Sequence, residues 1–199
     1  MPNNAVEKER QLDANRAIAQ KIRNRLQQLE NATEIDKKRW IWELLQNAKD
    51  TISDNSAVDI EITLSSEYLE FKHNGGFFSP RNITNLVHQI SSKEGTDSTG
   101  RFGTGFLTTH TLSRLVDVSS IYIDEDTNEY FEFSISLNRE GITEQECIED
   151  IEKTWESYKA NPIEKPDSSN TIFKYLNPNE DIVTNTLQDV EKSILFNFR

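Results

Sequence analysis

Cysteine is all but missing: Cys147 stands alone in 199 residues, which excludes an internal disulfide and a cysteine-built metal centre. No stretch approaches the ~18 apolar residues of a membrane-spanning helix, and the opening Met-Pro-Asn-Asn-Ala-Val-Glu-Lys-Glu-Arg holds no apolar signal core. Positive charge is in short supply. The 22 Lys and Arg face 34 Asp and Glu, a net charge of −12, which argues against a broad nucleic-acid surface on this chain. Internal repeats and low-complexity segments are absent. These absences read as a protein of the reducing cytoplasm, with no membrane partner and no direct nucleic-acid binding.

What is present suffices for a core. A chain of this length most often folds as one domain. Its 35% hydrophobic and 28% charged residues put it on the polar side of globular, while 10 Phe, 5 Tyr and 3 Trp are too many for a disordered chain. The basic residues are uneven, with Arg16, Lys21, Arg23, Arg25, Lys37, Lys38 and Arg39 gathered near the start. They read as a solvated helix face, the alternative being a polyanion contact.

Residues 5–30 contain neither Gly nor Pro and carry a thin apolar stripe of Ile18, Ile22, Leu26 and Leu29, the pattern of a long polar helix. So narrow a stripe needs a partner, either the rest of the domain or a second copy. A second helix is expected from Thr33, with Thr33 and Asp36 in a capping-box arrangement. Its apolar face is Trp40, Ile41, Leu44, Leu45, Ala48 and Ile52, and both Trp40 and Trp42 read as packing residues.

Val58–Leu64 alternates with period two and reads as a strand, with residues 68–72 as its hairpin partner running into a His73-Asn74-Gly75-Gly76 turn. Ser79 and Pro80 mark the start of a helix through Ile83, Leu86, Val87 and Ile90. Residues 91–99 have loop composition. A helix can begin at Phe106, strands are expected at 115–123 and 130–137, a helix at 143–159, a loop at 161–170, a strand at 171–176 and an amphipathic helix at 179–197. Strands mixed with segregated helices make an α+β two-layer sandwich, its sheet mixed but mainly antiparallel and covered by helices. The division is an N-terminal helix at 1–30, a domain at 31–178 and a C-terminal helix at 179–199. With little after the last strand, the chain reads as a fragment lacking an effector region.

Two clusters carry the chemistry. Glu43-Leu-Leu-Gln-Asn47-Ala-Lys-Asp50 puts three oxygen-bearing side chains at i, i+4 and i+7, on one side of a helix. Such a stripe can hold a metal ion and activate a water, although it is also what an ordinary solvated edge looks like. Gly100-Arg101-Phe102-Gly103-Thr104-Gly105-Phe106 is a glycine-rich turn of the kind whose backbone N–H groups close around phosphates. No Gly-Lys-Ser/Thr follows it and no leading βαβ strand precedes it, so it is neither a Walker A loop nor a dinucleotide fingerprint.

The order and spacing of these clusters resemble the GHKL ATPase superfamily (gyrase, the large heat-shock chaperones, histidine kinases, MutL), over roughly residues 33–176. The resemblance implies a Bergerat-type ATP-binding fold, closest to the chaperone- and sacsin-like branch, with ATP and Mg²⁺ as cofactors. Glu43-x-x-x-Asn47-x-x-Asp50 matches the family's N-box, which implies that Glu43 orients the attacking water and Asn47 binds Mg²⁺. Gly100, Arg101, Phe102, Gly103, Thr104, Gly105 and Phe106 resemble the second glycine box. Lys93 sits where chaperone-type members place a lid lysine, so residues 91–99 are expected to be a lid that orders on nucleotide. Thr171 is similar to the threonine at the adenine edge, although Asn170 replaces the usual Gly before it.

The first glycine box departs from the pattern Asp-x-Gly-x-Gly. His73, Asn74 and Gly75 stand there, with His73 for the Asp and Phe77 for the second Gly. A neutral imidazole nitrogen can accept one hydrogen bond, but the charge-assisted bond to adenine's amino group is lost. Sacsin-like members resemble this chain in carrying a similar His-Asn-Gly turn. His73 as an ordinary turn residue is the alternative, and His88 and His110 read as packing or surface residues.

The implied function is a Mg-dependent ATPase domain, the nucleotide-driven switch of a larger machine, binding ATP and ADP and dimerising with nucleotide. A nucleotide-sensing or pseudo-ATPase module without turnover is the main rival. The ATP-binding half of a histidine kinase fits less well, because such kinases lack a Glu at the position of Glu43 and no histidine lies in an N-terminal hairpin.

Overall fold

Alternating residues decide which side of each strand is buried, and they agree across the sheet. The computed structural model describes residues 4–52, 57–89 and 105–197. Helix α1 (Asn4–Glu30) is followed by α2 (Glu34–Lys37), α3 (Trp40–Lys49), β1 (Ile60–Leu64), β2 (Tyr68–His73) and α4 (Pro80–His88). A 3-10 helix (Phe106–Thr111), β3 (Leu115–Asp124), β4 (Glu129–Asn138), α5 (Glu144–Ser157), β5 (Lys159–Ile163), β6 (Thr171–Leu176) and α6 (Glu180–Asn197) complete the order. The sheet runs β1-β2-β6-β3-β4-β5, and every pairing between neighbouring strands is antiparallel. The only parallel contact among the described residues is the isolated bridge of Phe78 with Tyr122. The fold is α+β: a six-stranded sheet with helices packed on it.

Leu69 and Phe71 of β2, Phe173 and Tyr175 of β6, Val116 and Val118 of β3, and Phe133, Ile135 and Leu137 of β4 all face the helices and are buried. Their neighbours in sequence are polar or half-exposed, as expected for a sheet covered on one face. Leu44, Leu86, Phe106, Leu107 and Ile151 close the core from the helical side.

Helix α1 lies on α5 and the 3-10 helix. Ala19, Ile22, Leu26 and Leu29 are buried and Ile18 is half-buried, so the narrow stripe has its partner within the chain. The basic residues beside it form tethers. Lys21 donates to Gln89 O at 2.8 Å, Arg23 to Ile142 O at 2.9 Å and Arg25 to Thr108 Oγ1 at 3.4 Å. Leu26→Ala is expected to destabilise the protein by about 2–5 kcal/mol, the usual cost of an emptied core position. A urea titration with an unchanged midpoint would mean the stripe contributes nothing.

The single helix expected from Thr33 is broken in two. Thr33 caps α2 as expected, accepting from Asp36 N at 3.2 Å. The chain then tightens into i→i+3 bonds at Lys38 and Arg39, while Thr111 Oγ1 donates to Lys37 O at 3.3 Å. Ile52 falls beyond the end of α3. Trp40 is fully buried, but Trp42 is 59% exposed, contrary to its reading as a packing residue. Helix α4 has the expected Ser79 cap, closed by Asn82 in a capping box, and ends at Gln89 in the left-handed region (φ 53°). Ile90 and the lid expected at 91–99 lie outside the described residues. The loop expected at 161–170 instead begins as β5, whose Pro162 is tolerated because this strand is at the sheet's edge.

Candidate functional site

Helix α3 is held against the body by its apolar face and by Trp40, whose Nε1 donates to Thr186 Oγ1 of α6 at 3.1 Å. Glu43 and Asn47 project from the edge of that face. Asn47 is 3% exposed, and its Nδ2 has no hydrogen-bond partner among the described residues. Glu43 is half-buried, its Oε1 3.6 Å from Arg39 Nη2. Asp50, the third member of the stripe, is the exposed C-cap of the helix, so burial separates it from the other two.

The two sequence clusters meet at Glu43 and Gly105. A Cβ on Gly105 would collide with Glu43 Oε2 and come within 3.0 Å of its carboxyl carbon. Gly105 has ordinary helical torsions (φ −63°, ψ −42°), so its lack of a side chain matters for space and not for conformation: what a Cβ would disturb is the end of the Glu43 side chain. Gly105→Ala is therefore expected to push the Glu43 carboxylate out of place. If the Glu43 carboxylate proves to act on a bound ligand, such a shift of about 1 Å can cost on the order of 100-fold. A structure of the folded variant with the carboxylate unmoved would show that Gly105 does not set its position.

The first glycine turn is clamped from two sides. Thr51 Oγ1, just beyond α3, donates to Ala48 O at 2.6 Å and accepts from Gly76 N at 2.8 Å. Ser169 Oγ, buried before β6, donates to Gly75 O at 2.5 Å. A Cβ on Gly75 would collide with Thr51 Oγ1 and lie 3.2 Å from Ala48 O, which explains the glycine. Asn74, expected at the nucleotide, has its side chain committed elsewhere: it donates to Asp59 Oδ2 at 2.8 Å and accepts from Asp59 N at 2.9 Å. The Phe77 ring packs edge-on to Tyr130 with centroids 5.2 Å apart.

Beside this turn, three polar side chains form a row across adjacent strands. His73 of β2 pairs in register with Thr171 of β6, and Thr171 Oγ1 is 2.6 Å from Ser120 Oγ of β3. All three lie on the helix-covered face and are buried. His73 Nδ1 accepts from Gly75 N at 3.1 Å, and burial holds the ring's pKa down to about 4, so it is neutral at physiological pH. The nitrogen that the sequence offered as an acceptor for adenine is thus occupied by the chain itself.

Of the other expected site residues, Lys93, Gly100, Arg101, Phe102, Gly103 and Thr104 lie outside the described residues. Phe106 is fully buried, 5.5 Å from Phe173 between ring centroids, so its side chain serves packing. His88 accepts from Trp155 Nε1 at 3.3 Å, and buried His110 has Nδ1 3.1 Å from Ser113 O. Thr51, Ser169 and Ser120 have no motif of their own. Only the alternation Val116, Val118, Ser120 hints that a hydroxyl faces inward.

The donor chemistry suits a cation that arrives with its ligand. Among the described residues no group of three His, Cys, Asp or Glu is placed to cage a metal. Mg²⁺ bound together with phosphates needs only one or two protein oxygens, and the buried Asn47 amide can offer one. Among the described residues no helix is long and apolar enough to cross a membrane.

No family model matches the chain, and no curated protein matches it. Solved structures do. The chain is similar to the ATPase region of Saccharomyces cerevisiae topoisomerase II, at 15% identity and a TM-score of 0.46. The same region bound to ICRF-187 (dexrazoxane) gives the same values. The B-subunit of DNA gyrase from Myxococcus xanthus is similar at 12% identity and a TM-score of 0.43. In each case 73% of this chain is covered, and it spans 38% of the other chain's length.

Proposed function

We propose that this chain is a GHKL-type domain that binds ATP with Mg²⁺ and hydrolyses its γ-phosphate. One observation carries the reading: Glu43 and Asn47 stand a turn apart on α3, with the Glu43 carboxylate seated against Gly105, at the end of the glycine cluster. In this reading Glu43 accepts a hydrogen bond from a water and aims it at the phosphorus, and the half-buried setting limits competing solvent. Asn47 supplies an oxygen to Mg²⁺, which when bound neutralises charge on the phosphates. The row His73–Thr171–Ser120 faces the base, and Thr51 and Ser169 fix the turn that borders it. The domain then acts as the nucleotide-driven switch of a larger assembly, dimerising when loaded.

A second reading, nucleotide sensing without turnover, is favoured by the altered base wall, where His73 replaces a carboxylate and Phe77 a glycine. One experiment separates the two. ATP, ADP and a non-hydrolysable analogue are titrated with Mg²⁺ while phosphate release and mass in solution are followed. Mg-dependent release supports the ATPase. Binding without release supports the sensor, and no binding of any nucleotide overturns both.

A further inference from the structure

The row His73–Thr171–Ser120 puts three polar side chains at one end of an inner face that is otherwise aliphatic and aromatic along these three strands. One register step inward the same strands carry Phe71, Phe173 and Val118, all buried. Polar groups placed in that setting call for partners, and their donor and acceptor roles are open to derivation.

Thr171 and Ser120 hydrogen-bond each other, and either hydroxyl can be the donor. That pair can adapt to a ligand. His73 cannot. Its neutral ring has one N–H and one bare nitrogen. A backbone amide can only donate, so the bond from Gly75 N makes Nδ1 the bare nitrogen and puts the proton on Nε2. The ring is held by Phe173, nearly parallel to it with centroids 6.3 Å apart, and by Phe71 edge-on at 6.2 Å. A flip would put Cδ2–H in place of Nδ1 and lose the bond from Gly75 N, and the other tautomer would set an N–H against Gly75 N–H. Nε2–H has no hydrogen-bond partner among the described residues, so His73 presents a fixed donor.

Resting on the reading of this pocket as a purine-nucleotide site, we infer that His73 is a specificity-determining residue that favours a purine with a keto oxygen at position 6, guanine or hypoxanthine, over adenine. A keto oxygen accepts from Nε2–H. Adenine's 6-amino group points hydrogens at it. The polarity is opposite to that of a carboxylate in the same place.

The test measures dissociation constants of ATP, ITP and GTP with Mg²⁺ for the wild type and for His73→Asp. ITP differs from ATP only in this edge of the base, and GTP adds a 2-amino group. The wild type is expected to bind ITP roughly tenfold tighter than ATP, the effect of one neutral hydrogen bond gained against two opposed donors. His73→Asp should reverse the order. The wild-type ratio needs no variant, so it stands even if His73→Asp fails to fold. ATP bound as tightly as ITP or more tightly overturns the inference and leaves the nucleotide site standing, as does a folded His73→Asp with an unchanged ratio. If the wild type binds none of the three, the nucleotide site itself is wrong.

Discussion

Glu43→Ala is expected to bind ATP as the wild type does and to lose a factor of about 10²–10⁴ in turnover, the usual contribution of a group that positions or deprotonates an attacking water. The expectation follows from where Glu43 sits. It is half-buried, and its one ion pair among the described residues is a 3.6 Å contact with Arg39, a residue 59% exposed in its side chain, which contributes little to stability. Its carboxylate lies against Gly105, where removal leaves a small gap and no unpaired buried charge. Glu43→Gln keeps the volume and removes the charge, so the pair of variants separates shape from chemistry. Circular dichroism must first show that both are folded. If folded Glu43→Ala releases phosphate at the wild-type rate, Glu43 is not the catalytic residue.

Asn47→Ala should give the complementary result. Its buried amide has a nitrogen without a partner among the described residues, an arrangement that costs about 1–3 kcal/mol in the free protein. A cation would take the amide oxygen and not this nitrogen, so the unpaired nitrogen marks a side chain that hydrogen bonds among the described residues do not hold in place. Asn47→Ala is therefore expected to weaken Mg-dependent ATP binding by at least the roughly 10–100-fold typical of losing even an outer-shell metal partner. Without nucleotide it should melt no lower than the wild type. A purely structural Asn47 would give the reverse, a lower melting temperature with Mg-dependent affinity intact. Nucleotide titrations with and without Mg²⁺, beside thermal melts, read both effects.

Much of this fold is written in local patterns. The stripe of α1, the β1–β2 alternation, the Ser79 cap and the strand at Thr171 are each short-range signals that tertiary packing had no reason to override. The break between α2 and α3 is different. Asp36, Lys37, Lys38 and Arg39 contain neither Gly nor Pro, so no local stop signal marks a turn whose contact partner, Thr111, is distant in sequence. β5 was hidden because Pro162 speaks against a strand except at an edge, and edges are a property of the finished sheet. Trp42 had the composition of a core residue but lies across α3 from the core.

The candidate site divides in the same way. Glu43 and Asn47 could be read from helical spacing, and His73 and Thr171 from resemblance to known boxes. Thr51, Ser169 and Ser120 could not, since isolated hydroxyls are common and only the register and the close turn give them a role. The tautomer of His73 is not a sequence property at all. It is set by the backbone N–H two residues on.

Gln89 and Gly105, the described residues on either side of 90–104, are both held by contacts. At the exit, Gly105 is seated against Glu43. At the entry, Gln89 is fully buried and its carbonyl is gripped by Lys21 of α1, while its side-chain Nε2 donates to Leu86 O. The N-terminal helix therefore does more than cover the core: through Lys21 it holds the backbone of Gln89, the last described residue ahead of the glycine cluster, while its outer side stays open to solvent.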